Sequence, residues 1–318
     1  MRSITVRPSA KINLTLRVGP RRADGFHDVR TLLQNVGISD TLVVSARKGA
    51  FALQTRAPGV PADETNLVWK AARALWLAAG KTGEPRDAHV RLDKTIPHEA
   101  GLGGGSADAA GAMVALNELW GFALPQHVLL RVAASLGSDV PFFLIGGTAV
   151  GTGRGDELYP VDDADRLGVV IIKPSFGVST ADAYRWLDED RSKGTVPEAL
   201  GTVPPMPDRS TGTVPEKGGQ SPARSREIRL GWPTDPVLIA NDLEAPVARR
   251  QPEILEIIEA CYREGAQVAA MTGSGSAVFA LFNEQKAPRA ARGLKRPGWL
   301  VLLTRTLSRR ESTRRIGL

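Results

Sequence analysis

A glycine-rich stretch, residues 96–111, carries the strongest chemical signal in the sequence, because four glycines and a serine directly precede an alanine-rich segment. Residues 107–120 space their apolar side chains as an α-helix does, and Gly121 is suited to end that helix. Glycines let backbone N–H groups converge on a guest, and the start of a helix adds its own N–H groups and dipole. Such a site favours a polyphosphate; the alternative is an ordinary turn with Ser106 as the N-cap.

The residues around these glycines exclude two familiar phosphate-binding loops. The pattern G-x-x-x-x-G-K-[ST] is absent because no lysine follows the glycines. The dinucleotide pattern G-x-G-x-x-G fails because Ser106 follows Gly101 and Gly103 at the position of the last glycine. A phosphate-binding loop without its own lysine needs a cation from elsewhere, either a metal ion or a lysine distant in sequence.

Lys11 and Asn13 occupy the same face of a predicted β-strand near the start of the chain. Residues 9–18 alternate, with apolar side chains at Ile12 and every second position after it. Because side chains in a strand alternate between two faces, Lys11 and Asn13 point to one side. The alternative is an edge strand with a solvated polar face.

Three further features place polar or aromatic groups next to glycine turns. Phe26 and His27 follow an Asp-Gly turn signal, where the aromatic pair belongs either to the core or to the wall of a ligand site. Asp139 lies between a helix-ending glycine and an apolar run, and N-cap is its alternative role. A second Gly/Ser loop, residues 272–277, offers N–H groups and hydroxyls suited to phosphate, with a hairpin-type turn as the alternative.

The elements that would position these groups alternate between strands and amphipathic helices. Apolar periodicity predicts helices that end at Gly80, Gly137 and Gly265. A length of 318 residues predicts two domains. We divide the chain into residues 1–162 and 163–318, because its character changes around that point.

Residues 188–227 differ from the rest of the chain in composition. They are rich in Pro, Gly, Ser, Thr and charge, and the tetrapeptide Gly-Thr-Val-Pro occurs three times, beginning at Gly194, Gly201 and Gly212. Such a segment buries too little apolar surface to offset its ordering entropy. We therefore predict a disordered insertion without a chemical role.

Composition excludes several classes of protein. The hydrophobic fraction of 42% and the charged fraction of 24% are ordinary. No apolar run approaches the ~20 residues needed to span a bilayer, and the first residues have no apolar signal core. We therefore expect a cytoplasmic protein. Cys261 is the single cysteine, which excludes an internal disulfide and a cysteine cluster for metal.

The net charge of +7 belongs to the C-terminal end. Residues 286–318 hold ten Lys and Arg against one acid, Glu311, so this end carries +9 and the remainder −2. A basic end can bind nucleic acid, but Trp299 is its single aromatic residue, so it offers no stacking platform. We interpret it as a solvated face and a frayed terminus.

Six motifs together resemble one family of small-molecule kinases. They occur in the order found in the 4-diphosphocytidyl-2-C-methyl-D-erythritol kinase family, a branch of the superfamily that includes galactokinase, homoserine kinase, mevalonate kinase and phosphomevalonate kinase. The resemblance covers nearly the whole chain outside residues 188–227, and departs from the family pattern at His98 and Glu99. The motifs are P-S-A-K-I-N-L (8–14), R-A-D-G-F-H (22–27), P-H-E-A-G-L-G-G-G-S-A (97–107), G-S-D-V-P-F-F (137–143), N-D-L-E (241–244) and G-S-G-S (273–276).

The resemblance implies a two-domain α+β fold with the active site in the cleft between the domains. The N-terminal domain would be ribosomal-protein-like with an unusual crossover, and the C-terminal domain ferredoxin-like. The implied reaction transfers the γ-phosphoryl group of ATP to the 2-hydroxyl of 4-diphosphocytidyl-2-C-methyl-D-erythritol, in the non-mevalonate isoprenoid pathway. Phosphoryl transfer needs in-line positioning and charge neutralisation more than covalent help.

The resemblance also implies which residues bind ATP. Mg²⁺ would bridge the phosphate oxygens, with Ser106 as a ligand. Asn66 would lie near the adenine. The remaining predicted ATP contacts belong to the first glycine loop: Pro97, His98, Glu99, Ala100, Gly101, Leu102, Gly103, Gly104, Gly105, Ser106 and Ala107.

The family's catalytic and substrate-binding residues map onto separate parts of the sequence. Asp139 would accept the proton of the hydroxyl, and Lys11 would orient Asp139 and stabilise the developing charge. Phe26 and Tyr184 would stack on the two faces of cytosine while His27 hydrogen-bonds its edge. The other predicted substrate contacts are Asn13, Thr180, Gly273 and Ser274.

Two alternatives remain open at this stage. A kinase of the same superfamily could act on another small alcohol, such as mevalonate or homoserine, but would then have no base for Phe26 and His27 to hold. A nucleic-acid-binding protein would use the basic end, but would leave Lys11, Asp139 and both glycine loops without a role. We expect ATP and the cytidylyl substrate as partners, no nucleic acid, no membrane, and a monomer or weak homodimer.

Overall fold

A computed structural model describes residues 2–163, 165–194, 227–228 and 237–318 of the chain. Its strands are β1 (Ser3–Val6), β2 (Ser9–Arg21), β3 (His27–Ser39), β4 (Thr41–Ala50), β5 (Ala52–Thr55), β6 (Arg86–Asp93), β7 (Thr148–Thr152), β8 (Glu157–Val161), β9 (Gly168–Pro174), β10 (Glu227–Ile228), β11 (Val237–Leu238), β12 (Ala240–Asn241), β13 (Val268–Met271), β14 (Val278–Phe282) and β15 (Trp299–Arg305). Its helices are α1 (Leu67–Ala78), α2 (Gly104–Leu119), α3 (Gln126–Leu136), α4 (Val140–Ile145), α5 (Thr180–Ser192), α6 (Glu244–Arg250), α7 (Glu253–Arg263), α8 (Ala287–Gly293) and α9 (Arg309–Ile316).

The alternating segment at the start of the chain forms an internal strand. β2 pairs antiparallel with β3 on one side and parallel with β12 on the other. Lys11 and Asn13 are only 4% and 5% exposed. The alternative of an edge strand with a solvated polar face is therefore wrong, because both glycine loops cover that edge: Lys11 N donates to Leu102 O at 3.0 Å and Asn13 N donates to Thr272 Oγ1 at 2.9 Å. β12 pairs farther along the strand, at Thr15 and Leu16.

The N-terminal half combines two sheets with helices α1 to α4. One sheet has the order β12-β2-β3-β7-β8 and the other the order β1-β4-β6-β5. β3 runs directly into β4 at Asp40, which is fully buried. The parallel neighbours β5 and β6 are connected through α1, which forms the crossover of this half.

The C-terminal half has ferredoxin-like topology. The strands of its antiparallel sheet and the helices between them follow the order β9, α5 to α7, β13, β14, α8 and β15, and the sheet has the order β13-β14-β9-β15. This is the β-α-β-β-α-β arrangement predicted for this half. A separate apolar cluster, which includes Ile12 and Leu14 of β2 together with Ile171 and Phe279, packs the two halves against each other.

The basic C-terminal end is folded, so the prediction of a frayed terminus is wrong. It forms α8, β15 and α9, and α9 starts with a capping box between Ser308 and Glu311. Hydrogen bonds from Arg305 and from the cap lower the pKa of Glu311 to about 2. Arg315 donates to Gly37 O at 3.0 Å, so α9 lies against the N-terminal half, although the proposed division at residue 162 assigns it to the other domain.

Helix α5 extends into the segment predicted to be a disordered insertion. Residues 188–192 are helical, and Asp190 forms ion pairs with Arg249 at 2.8 Å and Arg250 at 3.0 Å. The predicted start of the insertion at Asp188 is therefore wrong, because paired charges stabilise the last turns of a polar helix. The remainder of the predicted insertion, residues 195–226, lies outside the described residues.

None of the described helices is a candidate for a membrane span. Within residues 2–163, 165–194 and 237–318, every helix is too short or too polar to cross a bilayer.

Candidate active site

A cavity of about 1170 Å³ brings the predicted site residues together. Both glycine loops, the start of α5 and the turn before β3 contribute to its wall. Asn66 and Ala107 are the two predicted residues that do not line it. The predicted residues in the wall are Lys11, Asn13, Phe26, His27, Pro97, His98, Glu99, Ala100, Gly101, Leu102, Gly103, Gly104, Gly105, Ser106, Asp139, Thr180, Tyr184, Gly273 and Ser274.

The first glycine loop leads directly into the N-terminus of α2. Gly103 is the N-cap in the left-handed conformation, with φ +69°, and provides no side-chain cap. The N–H of Ala107 donates to Gly103 O at 2.9 Å, so it is not available to a ligand. The N–H groups of Gly104, Gly105 and Ser106 precede this first helical bond and have no acceptor within the helix. Free N–H groups at the start of a helix are suited to phosphate oxygens.

The predicted start of the helix is wrong, and the alternative role of Ser106 as N-cap is excluded. The helix starts at Gly104 and not at Ala107, and Ser106 is its third residue and not its N-cap. Glycine is a poor helix former in isolation, but here the first turn is packed against Ile96 and Lys94: a Cβ on Gly104 would lie 3.0 Å from Ile96 Cγ2 and 3.1 Å from Lys94 Nζ. Ala107 is buried within the helix.

Lys94 is a cation beneath this loop that the sequence patterns did not identify. Its ammonium pairs with Asp40 at 2.5 Å and with Asp108 at 2.8 Å. Burial alone would lower the pKa of Lys94, but the two carboxylates together raise it. Burial raises the pKa of Asp108 well above its ordinary value, against the opposing effect of Lys94. A lysine outside the glycine loop is therefore present in the wall, but it lies only seven residues before Gly101 and is not the sequence-distant lysine that we named as one of two options.

The second Gly/Ser loop is locked against the first. Thr272 Oγ1 lies 3.4 Å from Gly101 O, and a Cβ on Gly101, whose φ is +71°, would overlap Thr272 O. Asn241 Nδ2 donates to Met271 O at 2.9 Å and to Gly273 O at 2.8 Å. Glu244 accepts from Met271 N at 2.8 Å. The N-D-L-E motif therefore holds this loop in place.

Lys11 and Asp139 form the ion pair at the centre of the cavity. Lys11 Nζ lies 3.5 Å from Asp139 Oδ2 and donates to Asn13 Oδ1 at 2.6 Å. The Asp139 side chain is 38% exposed, against 5% for Lys11. Asp139 precedes α4 but makes no side-chain cap hydrogen bond, so the N-cap alternative has no support. A carboxylate that is accessible from the cavity and oriented by a buried ammonium can accept a proton.

Asn13 connects this ion pair to the second loop. Its N–H donates to Thr272 Oγ1 at 2.9 Å, and its Nδ2 donates to Thr31 Oγ1 at 2.8 Å. Both ends of the Asn13 side chain are thus engaged, with Oδ1 on Lys11. This geometry supports a role for Asn13 in positioning Lys11, in addition to the substrate contact predicted for it.

An aromatic group forms the other end of the cavity. Phe26 is 52% exposed, and its N–H donates to Asp24 Oδ1 at 3.1 Å. The His27 ring stacks on Tyr184 at 5.2 Å between centroids, with 29° between the planes. The Nε2 of His27 lies 2.9 Å from Asp188 Oδ1. The sequence does not reveal this partner, because Asp188 lies in the polar segment predicted to be disordered.

Tyr184 remains a neutral hydrogen-bond donor at this end. Burial of the phenol, together with the negative charge of Asp139, raises the pKa of Tyr184 to about 12. The neighbouring helix start is joined to the second loop, since Thr180 Oγ1 and Ser274 Oγ lie 3.2 Å apart. The aromatic end and the loop end of the cavity are therefore parts of one connected structure.

Asn66 has a structural role that is visible in the helix it precedes. It is the N-cap of α1, where Oδ1 accepts from Val68 N at 2.8 Å and Nδ2 donates to Pro61 O at 2.6 Å. Leu67, the next residue, lies near Gly105. Contact of Asn66 with adenine stays a prediction.

Family models match both halves of the chain. The description "GHMP kinases N terminal domain" matches residues 66–147, and "GHMP kinases C terminal" matches residues 225–298. These matches, together with the sheets and helices of both halves, confirm the predicted two-domain α+β kinase fold.

Two curated relatives and one solved structure are similar over nearly their whole length. The 4-diphosphocytidyl-2-C-methyl-D-erythritol kinase of Moorella thermoacetica is 39% identical, with 96% of this chain and 99% of the relative covered. The enzyme of the same name from Pelotomaculum thermopropionicum is 38% identical, with the same shares covered. The crystal structure of a 4-(cytidine 5'-diphospho)-2C-methyl-D-erythritol kinase matches with a TM-score of 0.73 and 31% identity, covering 95% of this chain and 99% of that one.

At this level of identity and coverage, the motifs, the fold and the cavity all have the same explanation: the chain belongs to the 4-diphosphocytidyl-2-C-methyl-D-erythritol kinase family.

Proposed function

We propose that this kinase transfers the γ-phosphoryl group of ATP to the 2-hydroxyl of 4-diphosphocytidyl-2-C-methyl-D-erythritol. The observation that carries the proposal is one cavity to which both halves of the chain contribute. It contains a helix N-terminus for phosphate, the Lys11–Asp139 pair for proton transfer, and an aromatic end for a nucleobase.

The phosphate end would hold the triphosphate of ATP. The N–H groups of Gly104, Gly105 and Ser106 point from the positive end of the α2 dipole, an arrangement suited to phosphate oxygens. Lys94 lies beneath the loop, but it is ion-paired with both Asp40 and Asp108, so it adds no net positive charge there. Glycines at these positions let the phosphates approach the backbone closely.

A magnesium ion at this end would be coordinated mainly by the phosphates of the nucleotide and less by protein side chains. Within the described part of the chain, no group of three or more His, Cys, Asp or Glu side chains could hold a metal ion. The Ser106 hydroxyl lines the cavity, and an ion coordinated by it would neutralise charge on the phosphate oxygens.

The reaction itself needs one proton acceptor and one stabilising cation. The oxygen of the substrate hydroxyl attacks the γ-phosphorus, the bond from that phosphorus to the β–γ bridging oxygen breaks, and ADP leaves. Asp139 would accept the hydroxyl proton. Lys11, held by Asn13 and nearly excluded from water, would stabilise the charge that develops on the transferred group.

The aromatic end supports the cytidylyl substrate over the other small alcohols considered. Mevalonate and homoserine carry no base for Phe26, His27 and Tyr184 to contact. Nucleic-acid binding is less well supported, because the basic end is folded into α8, β15 and α9 and many of its arginines are paired within the protein. A cytoplasmic location and a monomer or weak homodimer stay predictions.

The direct test is ADP release by the purified chain with ATP and each of three acceptors: 4-diphosphocytidyl-2-C-methyl-D-erythritol, mevalonate and homoserine. We expect release with the cytidylyl compound at a kcat/KM at least ~100-fold above the other two, since a site built for a base loses its main contacts when the base is missing. Preference for mevalonate or homoserine would overturn the proposal.

Phe26→Ala is expected to raise the KM for the cytidylyl substrate while leaving the KM for ATP almost unchanged. Base–aromatic stacking contributes about 1–3 kcal/mol in single-strand binders, which corresponds to roughly 5- to 150-fold in affinity. Steady-state kinetics with each substrate varied separately measures both constants.

A matched control for Phe26 is available on the surface. Tyr159 is similarly exposed, at 58%, and does not line the cavity. Tyr159→Ala should leave both KM values unchanged. Equal losses for ATP and substrate in Phe26→Ala would instead indicate that the ring supports the fold.

A further inference from the structure

The glycine-rich turn between β7 and β8 contributes an arginine to the aromatic end of the cavity. Arg154 and Gly155 line the cavity wall. The Arg154 Cζ lies 5.0 Å from the centre of the Phe26 ring, over its face. The sequence concentrates glycines in this turn, and the ATP and substrate contacts implied by the family resemblance do not include it.

The turn is held rigidly next to the β3 strand. Gly153 O accepts from Val29 N at 2.7 Å, and Gly155 N donates to Thr152 O at 2.9 Å. Gly153 and Gly155 adopt φ of +64° and +93°, which glycine tolerates without strain. The position of Arg154 is therefore fixed relative to His27, two residues before Val29.

An ion pair fixes the guanidinium itself. Arg154 Nη2 lies 3.0 Å from Asp156 Oδ2, and the two side chains are 35% and 17% exposed. The planar guanidinium of arginine stacks on aromatic faces while it keeps its hydrogen bonds at the edge. Asp156 can thus hold Arg154 without displacing it from the Phe26 ring.

Phe26 is half exposed, yet its orientation is defined from two sides. The backbone of its turn is closed by Arg22 N donating to Phe26 O at 2.6 Å and by the Asp24 carboxylate on Phe26 N. Its side chain has one face beneath the Arg154 guanidinium. A planar guest that stacks on Phe26 without displacing Arg154 can use only the other face.

We propose that Arg154 is a positioning residue for the substrate base: it backs the Phe26 ring and leaves the opposite face for a pyrimidine to stack on. This inference rests on the proposed function, because it assumes that the base of the cytidylyl substrate binds at Phe26. A contrary arrangement, in which Arg154 occupies the place of the base and must leave it, makes the opposite prediction for the same variant.

The test is a double-mutant cycle of Arg154 and Phe26 in the full chain. The variants are Arg154→Ala, Arg154→Met, Arg154→Lys, Phe26→Ala and Phe26→Ala/Arg154→Ala. Arg296→Ala is the matched control, because the Arg296 Cζ lies 4.8 Å from the Trp299 ring centre, outside the cavity. Each protein is assayed for kcat, for the KM of ATP and of 4-diphosphocytidyl-2-C-methyl-D-erythritol, and for thermal unfolding.

Arg154→Ala is expected to raise the KM for the cytidylyl substrate about two- to fivefold, the effect of an exposed cation–π contact. The kcat and the KM for ATP should stay unchanged, Arg154→Lys should recover part of the loss, and Arg296→Ala should have no effect. In the Phe26→Ala background, Arg154→Ala should add no further loss, because the ring it supports is gone.

Three outcomes would overturn the inference: an unchanged KM in Arg154→Ala, a lower KM, or the same loss with and without Phe26. Arg154→Met retains the aliphatic stem and decides the question if Arg154→Ala unfolds. A wild-type chain that releases no ADP with the cytidylyl compound refutes the proposed function. An active wild type together with an unchanged KM for the cytidylyl substrate in Arg154→Ala refutes this inference alone.

Discussion

Replacing Asp139 with asparagine is expected to lower kcat by about 10²–10⁴-fold, the usual contribution of a general base. The change keeps the size of the side chain and removes its capacity to accept a proton. The affinity for ATP should change little, because the proposed phosphate donors are the N–H groups at the start of α2. Steady-state kinetics and thermal unfolding of the variant measure both effects.

The structure makes this variant a clean test. Asp139 makes no cap hydrogen bond to α4, and asparagine would be as good a cap as aspartate in any case. Any loss of stability would therefore come from the ion pair with the buried Lys11 ammonium and not from the cap, and thermal unfolding measures it separately from kcat. Asp93→Asn is the matched control, since Asp93 pairs with Arg91 at 3.2 Å outside the cavity. A fully active Asp139→Asn enzyme would remove Asp139 from the mechanism.

The sequence identifies the residues of the site better than it identifies the elements that hold them. Lys11 and Asn13 share a face because strand periodicity is local, and the structure confirms this. Their burial is not local: it depends on the two glycine loops, where Leu102 O accepts from Lys11 N and Thr272 Oγ1 accepts from Asn13 N. No pattern within residues 9–18 contains that information.

Glycine shows a similar division between local and tertiary effects. The loop at residues 101–105 signals a phosphate site because glycine exposes backbone donors. The same residues have low helix propensity, which places the predicted helix start three residues late. Contacts of the first turn with Ile96 and Lys94 override that propensity.

Charge composition gives a wrong prediction of structure where charged side chains pair with groups far away in sequence. Asp188 belongs to a polar segment by composition, but its carboxylate lies against His27, 161 residues earlier. Arg315 counts as part of a basic tail, but donates to Gly37 O and to Ser39 Oγ at 2.7 Å. A count of charges cannot distinguish a solvated face from one that pairs across the fold.

Lys11→Met is expected to lower kcat by about 10²–10³-fold, the typical loss when a group that stabilises transition-state charge is removed. Methionine is the informative replacement because the Lys11 stem packs beside the loop: a Cβ on Gly103 would lie 3.1 Å from Lys11 Cγ. The variant keeps that apolar contact and removes only the ammonium that pairs with Asp139 and donates to Asn13. Lys81→Met, on the exposed surface, is the matched control.

The double variant Lys11→Met/Asp139→Asn separates a joint role from two independent ones. If Lys11 orients Asp139 and stabilises the charge produced in the same step, the two residues act as a unit. The kcat of the double variant should then fall by much less than the product of the two single decreases, because the effects of such residues are non-additive. Multiplicative losses would show that the two groups work independently. A Lys11→Met enzyme with normal kcat and a raised KM for either substrate would show that the ammonium contributes to ground-state binding and not to the transfer step.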